Sequence, residues 1–150
     1  MYSLIGAITL FLILVTFHEY GHYSVARYFK IKILKFSIGF GPDLLNWKNK
    51  DNIKFSLSAI PFGGYVAFHD PADTANYNKL SQTEKNYVLA NRPALERSLV
   101  VLAGPIYNFI LAFFIFTIVG LFIPKQSDTV SAQLAELNTE NFYEVVAIND

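Results

Sequence analysis

His18-Glu19-Tyr20-Gly21-His22 stands at the end of a long apolar run, and that placement limits what the chain can become. Residues 2–17 carry no charged side chain. Two imidazoles and a carboxylate on such a stretch are costly unless they are paired with one another, with a metal or with a protein interior. On a helix, His-Glu-x-x-His sets its imidazoles at i and i+4, about 40° apart around the axis, so both reach one ion. Glu19, about 100° round from His18, is placed to act as general base for a water polarised by that ion. The bland alternative is a pair of histidines with satisfied ring nitrogens on an ordinary helix. It loses ground because an apolar run offers no water to satisfy them. His18 and His22 are therefore the candidate metal ligands and Glu19 the candidate catalytic residue.

The chain has no cysteine, which leaves imidazole and carboxylate as metal donors and suits Zn²⁺ with an open hydrolytic position. Net charge is zero, with 12 basic and 12 acidic residues, and no nucleic-acid partner is expected.

Two uncharged stretches dominate the rest. Residues 98–123 are long enough for a tilted membrane span. Residues 1–30 reach that length when the first helix continues through the His-Glu motif. A cleaved signal peptide is rejected, since no basic residue precedes Arg27 and no small-x-small site follows the apolar core. Eleven of the 12 Lys and Arg residues lie between Arg27 and Arg97, with Arg27, Lys30, Lys32 and Lys35 directly beside the first span. The positive-inside rule then puts the N-terminus outside and residues 31–97 on the cytoplasmic side.

Between the spans the period changes. Leu34, Phe36, Ile38 and Phe40 alternate with Lys35, Ser37 and Gly39, and Ile53, Phe55 and Leu57 alternate with Lys54, Ser56 and Ser58. Both patterns are those of strands. Gly39-Phe40-Gly41-Pro42 predicts a turn, residues 43–52 a hairpin connection, and residues 31–68 together a small membrane-associated β-sheet. Residues 69–97 form a polar loop, with a short helix over 81–90 capped by Ser81 and Glu84. His69 is expected to be solvated. In the second span Ala103-Gly104-Pro105 predicts an interruption. Asn108, one turn on, is placed to satisfy a freed carbonyl or reach a substrate backbone, or to bond a neighbouring helix. The expected fold class is an α-helical membrane protein, two transmembrane helices flanking a small β-sheet.

Four stretches carry a resemblance to a known family. His18 to His22 with Val25-Ala26-Arg27 looks like the first motif of the site-2 proteases, zinc metalloproteases that cut within the membrane. Phe36 to Pro42 and Ile60 to Val66 resemble the membrane-associated sheet of the bacterial regulator-of-sigma-E branch. Ala103-Gly104-Pro105-Ile106-Tyr107-Asn108-Phe109 resembles its second-helix motif. The resemblance implies transmembrane protein substrates, a multi-pass place in the bacterial inner membrane, and regulated intramembrane proteolysis. It points to Gly39, Phe40, Gly41, Gly63, Gly64 and Asn108 as substrate-binding residues. An unwound substrate segment would add as a strand to the edge of the sheet.

Residues 124–150 are similar to the start of a PDZ domain, without the usual Gly-Asp pair. The family's third zinc ligand is an aspartate in a Leu-Asp-Gly motif on a later helix, and no such motif stands in these 150 residues. The chain is therefore expected to be the N-terminal part of such a protease. A metal-binding or substrate-engaging scaffold without activity is the alternative, and a soluble zincin-type peptidase a more distant one.

Overall fold

The computed structural model describes residues 2–122, so the PDZ-like segment lies outside the described residues. Residues 1–113 form one compact unit. The helical stretch 114–122 belongs to a second. Helix α1 spans Tyr2–Tyr28, strand β1 Ile33–Lys48 and strand β2 Lys54–Phe68. Two single-turn helices follow, α2 (Thr74–Tyr77) and α3 (Gln82–Lys85), then a 3₁₀ turn at Leu89–Asn91 and helix α4 (Ala94–Phe122).

Helices α1 and α4 are long and apolar enough to cross a membrane. Their apolar windows are only 11% and 17% buried, and side chains such as Leu102 and Phe109 stand exposed. The core helix of a soluble protein would be covered; these two leave a broad hydrocarbon surface for another apolar phase.

Helix α1 stops sharply. Lys30 adopts a left-handed conformation (φ 58°), and the Ile31 N–H bonds back to the Ala26 carbonyl at 2.8 Å, the long closing bond of a Schellman ending. Lys32 N–H then donates to the Tyr87 carbonyl at 2.8 Å, which turns the chain out of the helix and into β1.

The two strands pair antiparallel, and each is bent. Residues 33–38 pair with 64–68 on one side (Ile33 with Phe68, Ile38 with Gly64) and with 54–57 on the other (Lys35 with Lys54, Ile38 with Leu57). Residues 43–48 pair with 54–58. The first half of β1 therefore runs through the middle, and the stretch 64–68 forms a rim. The expected turn at Gly39–Pro42 is a bend within β1, carried by Gly39 (φ 87°) and Gly41 (φ 84°), and not a break. The expected hairpin connection is shorter than 43–52, because residues 43–48 go on pairing.

Tyr23 of α1 seats the sheet, with its ring 5.5 Å from Phe36 and 5.7 Å from Phe55. Ala26, Ile31, Ile33, Ile53 and Val100 make the buried core that joins α1, both strands and α4. On the strands, Ser37, Ser56 and Ser58 are buried and hydrogen-bonded through Ser37 Oγ at 2.9–3.1 Å. Ser58 donates to Asp43, which also binds Lys35 (2.8 Å) and Lys54 (2.7 Å). Those two ammonium groups hold the Asp43 carboxyl well below its usual range.

Three further expectations change. The helix over 81–90 is a single turn with the Ser81–Glu84 capping box in place, followed by the 3₁₀ turn. Pro105 lies inside a continuous α4 rather than interrupting it. His69 is half-buried, its Nδ1 without a partner, and burial together with Lys32 lowers its pKa.

Glu84 ties the loop to the sheet. It bonds Lys32 Nζ at 2.7 Å and the Ser81 N–H at 2.9 Å, and these pull its carboxyl from 4.5 to about 2. A carboxyl depressed by folding stabilises above its unfolded value, and that contribution is lost as pH falls through the folded value. Amide protection at Lys32, which bonds Tyr87, is therefore expected to fall between pH 4.5 and 2 in hydrogen exchange. Glu84→Gln should remove that pH dependence. A Glu84→Gln profile identical to the unmodified one would count against the assignment.

Candidate active site

His18, Glu19 and His22 lie on the turn of α1 that meets both α4 and the rim of the sheet. The meeting depends on small residues. A Cβ added to Gly21 would stand 2.5 Å from the Ala103 carbonyl oxygen and 3.0 Å from the Tyr107 ring, so α1 and α4 touch through backbone. Ser24 Oγ donates to Tyr107 Oη at 2.8 Å across the same contact.

The imidazoles converge. A Cβ added to Gly104 would lie 2.5 Å from His22 Nε2 and 2.7 Å from His18 Nε2. Both Nε2 atoms thus border one small space that exists only because residue 104 has no side chain. Their rings stand edge to face with centroids 4.8 Å apart. His22 Nδ1 lies 2.7 Å from the Val100 carbonyl oxygen. A carbonyl only accepts, so Nδ1 carries the proton and Nε2 keeps its lone pair. That is the state a metal-binding imidazole needs, with the orienting partner such ligands usually have.

Two half-buried imidazoles whose Nε2 atoms border one space, with a carboxylate alongside, fit a zinc ion as two of its ligands. Among the described residues no group of three or more His, Cys, Asp or Glu side chains could hold a metal ion. A further donor is needed to complete a catalytic zinc site of the usual kind.

Glu19 faces the sheet rim. The backbone N–H of Val66 is directed at its carboxylate, and a Cβ on Gly64 would meet its Cγ at 3.0 Å. Two cavities flank it. One of about 300 Å³ is lined by His18, Glu19, Gly63, Gly64 and Asn108, and one of about 260 Å³ by Glu19, His22, Gly64 and Val66. A further cavity of about 510 Å³ lies by Arg27, Lys30, Asp51 and Glu84 at the end of α1, and no histidine lines it.

The six expected substrate-binding residues separate into two groups. Gly63, Gly64 and Asn108 line the cavity beside His18 and Glu19. Gly39, Phe40 and Gly41 sit at the bend of β1, where a Cβ on Gly39 would lie 2.7 Å from the Ile60 carbonyl oxygen. Phe40 stacks on Tyr65 at 6.0 Å and packs directly on Gly63, which has φ 114°. They shape the strand that presents Gly63 and Gly64. Asn108 meets His18, its amide 3.5 Å from Nδ1. Gly104, the Val100 carbonyl and the Val66 N–H had no signal of their own in the sequence beyond the small pair Ala103-Gly104.

Comparison with known proteins adds the family. The sequence profile described as Peptidase family M50 matches residues 6–148. A protein of Rickettsia conorii, provisionally named a zinc metalloprotease, is 40% identical over 116 residues, covering 77% of this chain and 32% of its own length. Similarly named proteins of Agrobacterium fabrum and Synechocystis are 40% and 36% identical, covering 83% and 87% of this chain and 35% and 37% of their own. The chain thus spans about a third of the length of the curated relatives it matches.

Replacing Gly104 with Ala puts a methyl group between the two Nε2 atoms. Zinc affinity, measured by chelator competition in the purified protein, is expected to fall on the order of 100-fold or more. Unchanged affinity would show that the metal is held elsewhere.

Proposed function

Because the chain belongs to peptidase family M50, the site-2 protease family of membrane-embedded zinc metalloproteases, we propose that its α1 carries the hydrolytic machinery of an intramembrane endopeptidase. The observation that carries this reading is the convergence of His18 and His22 Nε2 on the space beside Gly104, with His22 locked in the ligand tautomer by Val100.

In this reading His18 and His22 hold Zn²⁺, a Lewis acid that acidifies water and polarises a carbonyl. Glu19 takes the proton of the attacking water and hands it to the leaving amine nitrogen. Its carboxylate lines both flanking cavities, so it can serve a water on one side and a peptide on the other.

A membrane-spanning substrate hides its carbonyls in helical hydrogen bonds, and these must be replaced when the segment unwinds. The rim stretch 64–68 supports a role as the replacement partner. It pairs with residues 33–38 on one side only, and its other side faces Glu19. An extended substrate added there would lie alongside the carboxylate. Gly63 and Gly64 keep the approach open, since side chains at either would strike Phe40 or Glu19. Arg27, Lys30, Lys32 and Lys35 support an orientation with residues 31–97 on the cytoplasmic side of a bacterial inner membrane. Regulated proteolysis of transmembrane proteins is the activity this arrangement serves.

Glu19→Gln keeps the shape and removes the base. In the full-length protein, cleavage of a membrane substrate is expected to fall by about 10²–10⁴-fold, with zinc still bound one to one. Cleavage near the unmodified rate would sink the assignment, and loss of zinc would move Glu19 into the ligand set.

A further inference from the structure

The two histidines are held differently. His22 Nδ1 has the Val100 carbonyl at 2.7 Å. His18 Nδ1 has the side-chain amide of Asn108, with Nδ2 placed at 3.5 Å. His18 presents Nε2 to the space beside Gly104; in the metal reading above that nitrogen keeps its lone pair, which puts the proton on Nδ1. A protonated Nδ1 and an amide Nδ2 are both donors and cannot bond. On the other side of the same amide, Asn108 Oδ1 is buried with no hydrogen-bond partner. A half-turn of the amide about its last torsion, which leaves its shape unchanged, brings Oδ1 to Nδ1. In that tautomer the rotation replaces a donor–donor approach with a donor–acceptor one and gives the buried Oδ1 a partner.

We infer that Asn108 is a positioning residue for His18: its Oδ1 accepts the Nδ1 proton and holds the imidazole in the tautomer whose Nε2 faces the metal space. The assignment rests on the metal reading above for the His18 tautomer, while the approach of Asn108 to His18 and the partnerless Oδ1 stand without it. It places one orienting acceptor on α4 for each histidine of α1, the Val100 carbonyl for His22 and the Asn108 amide for His18, eight residues apart on the same helix. Asn108 also lines the cavity beside His18. A residue with a free amide there would be a substrate contact, whereas one whose oxygen is bound to His18 acts through the imidazole.

The test compares Asn108→Leu, which has similar volume and no acceptor, with Asn108→Asp, whose carboxylate accepts in the same place. The first readout is the imidazole ¹⁵N spectrum of His18 in the full-length, metal-free protein in detergent. Unmodified protein and Asn108→Asp are expected to show the Nδ1–H tautomer, and Asn108→Leu a mixture shifted toward Nε2–H. The second is zinc affinity by chelator competition, expected to be about 10- to 100-fold weaker in Asn108→Leu, as for lost orienting partners of other metal ligands, and restored in Asn108→Asp. A packing role alone would not be rescued by a charged residue of that shape. An unchanged His18 tautomer in Asn108→Leu, or loss of Nδ1–H in Asn108→Asp, overturns the inference. Absence of zinc in the unmodified protein, with the tautomers behaving as stated, would remove the metal reading and leave the positioning role standing.

Discussion

The contact of Gly21 with the backbone of Ala103 is the constraint on which the site depends. In a membrane, lipid competes equally for apolar side chains, so two helices associate through close packing and the hydrogen bonds that closeness allows. Here the packing is at its limit, since even a methyl group on Gly21 would overlap the Ala103 carbonyl. From that approach follow the Ser24–Tyr107 bond, the reach of Val100 and Asn108 to the imidazoles, and the narrow space beside Gly104. Larger residues at these positions would separate the helices and leave the histidines facing one another without support.

The sheet answers a second problem. Strand backbone near a membrane helix needs all of its polar groups satisfied. Residues 33–38 achieve this by pairing on both sides, and the buried serine cluster passes its hydrogen bonds to Asp43, which two lysines neutralise. Two stretches pair on one side only, 43–48 and 64–68, and at the second the Val66 N–H meets Glu19.

Much of this was legible in the sequence, for reasons that differ from element to element. The helix through His18 to His22 follows from length and apolarity, and the i, i+4 spacing alone places two imidazoles together. Alternation gave the strand stretches, and Ser81 with Glu84 gave the capping box. The bends were not legible: Gly-Phe-Gly-Pro reads as a turn, and only pairing on both flanks of residues 33–38 keeps it in one strand. Pro105 reads as a break, yet the helix carries it through. The importance of Gly104 was hidden because it lies in an absent side chain, and that is visible only when His18 and His22 occupy the space. His69 illustrates the same limit, since a turn-like neighbourhood suggested water where the fold supplies half-burial.

The relation between Glu19 and Gly64 shows how the two halves of the fold depend on each other. The carboxylate lies between two cavities that share it and share Gly64. In the function proposed above, a proton taken on one side is delivered on the other, so that one residue serves both stages of peptide hydrolysis. A carboxylate on a stiff helix could not swing far, and it need not if both reacting partners can approach it. Gly64 permits that double approach, because any side chain there would press on Glu19 Cγ and Val15. The Val66 N–H, two residues along, is directed at the same carboxylate. The sheet's glycine and its amide thus border the Glu19 carboxylate between the two cavities.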